Sequence, residues 1–242
     1  IHEQNAIPGL SNRLLSRLAR RVTESFPGTF SERTRAVCTG NPVRAEIEAL
    51  APARPLSHGG PLRLLVLGGS RGAQAINEQV PLAVIAMSPE ERPAVWHQAG
   101  RDKIALARDA YIKAGLALND GCRVEPFIED MARAYAWADL VICRAGATTV
   151  AELVVAGLPA VLIPFPHAVD DHQTANARWL SQAGAAILLP QGDCDTERLA
   201  GLLEHHTHHP GLLQGMADAA RALSRPQAAE RVAAICMEAS RR

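Results

Sequence analysis

From residue 62 onward, short apolar runs alternate with longer segments of helical periodicity, and this rhythm narrows the possible folds more than any other feature. The apolar runs lie at 62–67, 94–98, 123–126, 139–143, 160–164 and 185–189, each bounded by glycine, proline or polar residues. Between them, helical spacing spans about 73–87, 101–115, 129–137, 148–156 and 171–183. Near-continuous Leu, Val and Ile runs of this length are the pattern of strands covered on both faces. Six such strands joined by helical crossovers predict an α/β fold, a doubly wound parallel sheet. Three more helices are expected at about 195–206, 210–223 and 227–239.

The first 61 residues read differently. Leu10, Leu14, Leu15 and Leu18 have helical spacing over 9–20, with Ser11 as a cap. An extended piece follows at 21–26, then the turn Pro27-Gly28, and 37–44 reads as a strand end with a tight loop. Pro52, Pro55, Pro61 and Gly59-Gly60 mark 49–61 as a linker or exposed loop. The expected organisation is therefore 1–40 as the tail of a preceding domain, 41–61 as an interdomain loop, 62–225 as the sheet domain and 226–242 as a C-terminal helix. The opening Ile1-His-Glu-Gln-Asn5 carries no Met and reads as a buried strand end, so the chain is expected to be a fragment.

Composition excludes several functions. With 25 Lys plus Arg against 25 Asp plus Glu, the balanced charge gives no reason to expect a nucleic-acid partner. Five widely spaced cysteines without a CxxC pair argue against a disulfide framework or a zinc ribbon. No apolar run approaches the roughly 20 residues of a transmembrane helix. Any membrane role is expected to be peripheral. The basic stretch Arg13–Arg21 reads either as an anionic-lipid contact or, by preference, as the solvated face of an amphipathic helix.

In a doubly wound sheet, ligands lie beyond the carboxyl ends of the strands. After the first strand comes Gly68-Gly-Ser-Arg-Gly, a phosphate-cradle signal with Ser70 at the helix start, or a glycine turn needed only for packing. The next strand ends in His97-Gln98 rather than an acidic residue, which leaves an NAD-type ribose contact unsupported. After the fourth strand, Arg144-Ala-Gly-Ala-Thr-Thr-Val-Ala-Glu152 places a helix N-terminus beside a carboxylate about one turn further in. Gly146 is expected to free the turn and Thr148 or Thr149 to cap the helix, with Thr149 to Glu152 matching a capping box. Phosphates at the cap and a diol at Glu152 fit a nucleoside diphosphate. After the fifth strand, the polar run 164–176 offers groups for sugar hydroxyls, or else an Asp170 or Asp171 helix cap.

The strings HEQNAIPGLSN, GNPVR, VLGGSRGAQ, FIEDM, YAWADLVICRAGATTVAEL, GLPAVLIPFP and DDHQTANA occur in order along essentially the whole chain. In this the chain resembles the MurG family, inverting transferases of the two-Rossmann-domain class called GT-B. The resemblance implies a Rossmann-like C-terminal domain that binds UDP-GlcNAc and serves transfer of GlcNAc to lipid I, forming lipid II. It implies that 1–40 are the remnant of an N-terminal acceptor domain whose missing part binds lipid I and carries a glycine-rich segment with a candidate general-base His. As supplied, the chain is then expected to lack turnover. The enzyme would sit peripherally on the cytoplasmic side of the inner membrane, against an anionic surface.

Position by position, the resemblance puts Asn5 on the GlcNAc, Arg44 near the nucleotide and Ser70 on the diphosphate. It puts the backbone of Ile128 on the uracil edge, and Ala147, Thr148, Thr149, Val150, Ala151 and Glu152 around the phosphates, with Glu152 on the ribose. Gln173 is assigned to sugar hydroxyls. Arg144 is a candidate charge stabiliser beside the helix terminus, and no cofactor or metal is expected if these groups supply the field. Asp193-Cys-Asp195 spells a DxD that is better read as a helix cap than as a metal site, and His205–His209 lacks a metal-site pattern. His97 is read as a packed or loop-bonded histidine in preference to a catalytic one.

Overall fold

The computed structural model describes residues 1–50, 60–69, 73–119 and 121–241. The first fifty residues form three two-residue strands, β1 (His2–Glu3), β2 (Thr23–Glu24) and β3 (Val37–Cys38), with helices α1 (Leu10–Leu15) and α2 (Ala45–Glu48). These strands pair in parallel in the order β1-β2-β3.

The expected rhythm then follows: β4 (Arg63–Leu67), α3 (Gln74–Ala86), β5 (Ala94–Gln98), α4 (Ile104–Lys113), β6 (Cys122–Glu125), α5 (Met131–Trp137) and β7 (Leu140–Cys143). After it come α6 (Ala147–Ala156), β8 (Ala160–Leu162), α7 (His172–Gln182), β9 (Ala186–Leu188), α8 (Thr196–His208), α9 (Pro210–Ala222) and α10 (Ala228–Ser240). The six later strands are all parallel, in the order β6-β5-β4-β7-β8-β9. Strand order reverses between β4 and β7, so the two loops leaving these neighbours flank the switch-point crevice.

Alternate side chains of each strand feed opposite layers. Leu64 and Val66 pack with Ile76, Val80, Leu199 and Leu203 on one face, whereas Leu65 and Leu67 pack with Val150, Leu153 and Leu180 on the other. Each such buried Leu or Ile contributes about 1.5–3 kcal/mol. Phe26 and Ile47 join the second layer, so the N-terminal segment is anchored on the α6 side of the sheet.

The helix expected over 9–20 is only six residues long. Leu10 and Leu18 are 66% and 84% exposed, so the leucine spacing finds no partner surface to stabilise more than a turn and a half. At the other end α10 returns along the first sheet. Arg20 donates to Ala239 O at 2.9 Å, Arg231 donates to Cys38 O at 3.4 Å, and Arg21 pairs with Glu238 at 3.2 Å. Gly40 (φ +79°) allows the crossing, since a Cβ there would lie 2.7 Å from Arg225 Cβ. Among the described residues, no helix is long and apolar enough to cross a membrane.

Candidate functional site

Helix α6 starts at the carboxyl end of β7. Its N-cap is Gly146, whose backbone is extended (φ −66°, ψ 145°), and no side chain caps it. Val150 N already bonds Gly146 O at 2.9 Å, so Thr148 and Thr149 lie inside the first turn. The expected threonine cap and the Thr149–Glu152 capping box are therefore not formed. Nor does the turn require glycine, because φ is negative and a Cβ would meet nothing closer than Thr149 Oγ1 at 3.9 Å. An uncapped helix start directs its first N–H groups and the positive end of the dipole outward, a setting for an anion.

Glu152 lies in the second turn, 8% exposed. Tyr135 Oη donates to its Oε2 at 2.8 Å, and Arg44 Nη2 sits 3.2 Å from Oε1. Burial, followed by the charge of Glu152, raises the Tyr135 pKa well above the usual phenol value, so the hydroxyl stays a donor. Glu152 is therefore not a bare surface carboxylate: a diol arriving at Oε1 has to share it with Arg44 or displace Arg44. Arg44, half-exposed, also borders a cleft of about 380 Å³ lined by Glu46, Ile47, Glu129, Asp130, Met131 and Ala132. The side chain of Ile128 is buried at the same turn, and Asp130 caps α5 by accepting from Arg133 N at 2.9 Å.

Asn5 reaches the β7–α6 loop through Asn176, a fully buried side chain of α7. Asn176 Nδ2 donates to Asn5 Oδ1 at 3.2 Å and to Ala145 O at 3.1 Å, and its Oδ1 accepts from Ala6 N at 2.8 Å. Asn41 adds a second tie, donating to Gln4 O at 3.0 Å and Ala147 O at 3.4 Å. Glu3 holds the loop from below. Burial alone would raise its pKa, but bonds from Asn5 N, Asn12 and Gly9 N outweigh that and lower it.

Gln173 and Arg144 both bond to the β8–α7 segment. Gln173 Oε1 accepts from Phe165 N at 2.9 Å, which folds the β8–α7 loop back. Arg144 donates to Ile163 O, Pro164 O and Gln191 Oε1 and stacks over Phe165 at 5.5 Å, so these bonds brace the neighbouring loop. Burial lowers its pKa. Ser70 lies outside the described residues. Its loop begins at Gly68, where a Cβ would come within 2.9 Å of Gln98 O, so the close approach of β4 and β5 excludes any side chain.

His97 is fully buried beneath this loop, hydrogen-bonded to Tyr111 Oη at 2.9 Å and Asn77 Oδ1 at 3.0 Å. Burial depresses its pKa to about 3. Through Tyr111 and Asn77 it ties the end of β5 to α4 and α3. Asp195 caps α8, accepting from Arg198 N at 2.8 Å, as the cap reading of the DxD anticipates. Tyr135, Asn41 and Asn176 were missed as site residues, although they lie inside the strings YAWADLVICRAGATTVAEL, GNPVR and DDHQTANA.

Comparison with known proteins identifies the family. Residues 63–232 match the glycosyltransferase family 28 C-terminal domain. The chain is 52% identical over 241 residues to the UDP-N-acetylglucosamine–N-acetylmuramyl-(pentapeptide) pyrophosphoryl-undecaprenol N-acetylglucosamine transferase of Azotobacter vinelandii, covering 100% of this chain and 66% of the relative. It is 54% identical over 243 residues to the protein of the same name from Alkalilimnicola ehrlichii, covering 100% and 67%. A crystal structure of Acinetobacter baumannii MurG matches with a TM-score of 0.86 and 39% identity, over 98% of this chain and 66% of that one. The chain thus spans 66% of the length of the first of these relatives.

Proposed function

The chain belongs to the MurG family of glycosyltransferases, and on that premise we propose that it supplies the UDP-GlcNAc-binding half of an inverting N-acetylglucosaminyltransferase that converts lipid I to lipid II. One observation carries the reading. The uncapped start of α6, the Glu152 carboxylate in its second turn and Asn5, tied to Ala145 by Asn176, converge at the strand-order switch point. In this reading 1–40 belong to the acceptor-side domain, 41–61 join it to the donor domain at 62–225, and 226–242 form the helix that returns across the joint.

The chemistry follows from charge. The acceptor hydroxyl attacks the anomeric carbon opposite UDP, and negative charge grows on the departing diphosphate. In this reading the first-turn N–H groups of Ala147, Thr148 and Thr149, the helix dipole and Ser70 stabilise that charge. Glu152, with Val150 and Ala151 on the same helix, holds the ribose end, Ile128 offers its backbone to uracil, and Arg44 lies between nucleotide and carboxylate. Asn5 and Gln173 take the sugar hydroxyls. Arg144 acts by bracing the start of the loop that leads into α7 and Gln173. The proton goes to a base in the glycine-rich, His-containing segment of the family, outside these 242 residues.

Attachment to the cytoplasmic face of the inner membrane is part of the same proposal. It is supported by the exposed Leu10, Leu14, Leu15 and Leu18 interspersed with Arg13, Arg17, Arg20 and Arg21, a surface suited to anionic lipid. The decisive experiment is calorimetry with UDP, paired with lipid II formation by the full-length enzyme, on Ser70→Ala and Glu152→Ala. Both variants should bind UDP at least about tenfold more weakly, the loss of one charge-assisted hydrogen bond. Unchanged affinity in both would sink the site.

A further inference from the structure

We infer that Tyr135 is a positioning residue for nucleoside recognition: its hydroxyl fixes one oxygen of Glu152 so that the other faces the ribose diol of a uridine nucleotide. The inference rests on the proposed role of Glu152 and deepens it.

The two donors on Glu152 differ in kind. Tyr135 lies on α5, 2% exposed and packed in the core layer that also holds Ile47, Ile128 and Val150, so its hydroxyl cannot follow a moving partner. Arg44, on the other oxygen, is 51% exposed on a long side chain and is free to exchange. If Arg44 were the only donor, the carboxylate would move with it. With Oε2 held at 2.8 Å by a hydroxyl locked in the core, the carboxylate plane is set and Oε1 keeps one direction. Each carboxylate oxygen offers about two acceptor sites, so Oε1 takes one ribose hydroxyl beside Arg44, or both once Arg44 exchanges away. Preorganisation of this sort saves the ligand from ordering the side chain itself.

A purely structural role, in which Glu152 merely satisfies a buried phenol, predicts a different outcome, and paired nucleotides separate the two. Calorimetry on the intact chain compares UDP with 2′,3′-dideoxy-UDP for wild type, Tyr135→Phe, Glu152→Gln and the double variant. Tyr135→Phe should weaken UDP by roughly 5- to 20-fold, about the net worth of one ordinary hydrogen bond, and leave the dideoxy nucleotide within about twofold. In the Glu152→Gln background the same change should add no further discrimination between the nucleotides. Equal losses on both nucleotides, no loss on UDP, or a Tyr135→Phe chain without a cooperative unfolding transition would each overturn the positioning role. If Glu152→Gln itself fails to lower the preference for UDP over the dideoxy form, the reading of Glu152 fails instead, whatever Tyr135→Phe does.

Discussion

Asn176 donates to Asn5 Oδ1 at 3.2 Å, joining residues 171 positions apart across the gap between the two sheets. The same amide bonds Ala145 O, and its carbonyl accepts from Ala6 N, so one buried side chain fixes the loop after β1 against the start of α6. Asn176→Ala leaves Ala6 N and Ala145 O without this partner and should cost about 2–4 kcal/mol of stability, one to two unsatisfied buried groups. Urea unfolding reads that loss. Where the variant folds, the proposed role of Asn5 at the sugar predicts that affinity for UDP-GlcNAc falls while affinity for UDP holds. Equal weakening of both ligands would remove Asn5 from the sugar site.

The DxD at 193–195 lends itself to a direct test. Asp195 caps α8 at 2.8 Å, so Asp195→Ala should lower stability by about 1 kcal/mol, while Asp193→Ala should change it by less than about 0.5 kcal/mol. Manganese titrated into wild type and Asp195→Ala should give indistinguishable heats. Binding heat that disappears in the variant would make the pair a metal site.

The two halves of the chain were not equally legible. Leu64 to Leu67 read as a strand because residues covered on both faces leave a continuous apolar run, and all six such runs are strands of the main sheet. The leucines of 9–20 have equally good helical spacing, yet a helix needs a surface to pack on, and Leu18 has none among the described residues. The start of α6 misled for a local reason. Gly146 and Thr148 are both acceptable N-caps, and only the Val150 N to Gly146 O bond decides between them. Glu152 was visible from spacing, but its partners were not. Tyr135 looks like any core aromatic of a short helix, and Arg44 lies 108 residues away. Asn5 and Arg44 came from family resemblance alone, because what ties each to the site is long-range contact that leaves no periodic trace.

Gly68 tests the proposed role of the loop after β4. Its N–H bonds Gln98 O at 2.8 Å, and a Cβ would stand 2.9 Å from that same oxygen and 3.1 Å from Ala73 N, both backbone atoms. Neither atom can rotate away, so Gly68→Ala must push the loop off β5. A stability loss of about 1–3 kcal/mol is expected from overpacking. The displaced segment leads in sequence to Ser70, so the proposed Ser70–diphosphate contact predicts that UDP affinity falls further than uridine affinity. Equal loss for uridine and UDP would mean that this loop does not meet the phosphates.

His97 makes the fold sensitive to acid. Its Nε2–H donates to Asn77 Oδ1 and its Nδ1 accepts from Tyr111 Oη, a network closed only around a neutral ring. The folded pKa is about 3, against 6.5 for a free histidine. Below pH 6.5 the unfolded chain therefore takes up a proton that the folded chain refuses, and stability falls as pH falls from 6.5 towards 3. The slope approaches about 1.4 kcal/mol per pH unit, or about 2 kcal/mol between neutrality and pH 5. His2, whose pKa burial also lowers, adds in the same direction. Urea unfolding of wild type and His97→Phe at pH 7.5 and pH 5 isolates the contribution. The variant should be less stable at pH 7.5, where Asn77 and Tyr111 lose a partner, yet its further loss on acidification should be smaller by about 2 kcal/mol. Parallel losses in the two proteins would show that His97 takes up its proton in the folded chain as readily as in the unfolded one, and that the network beneath the loop after β4 opens with it.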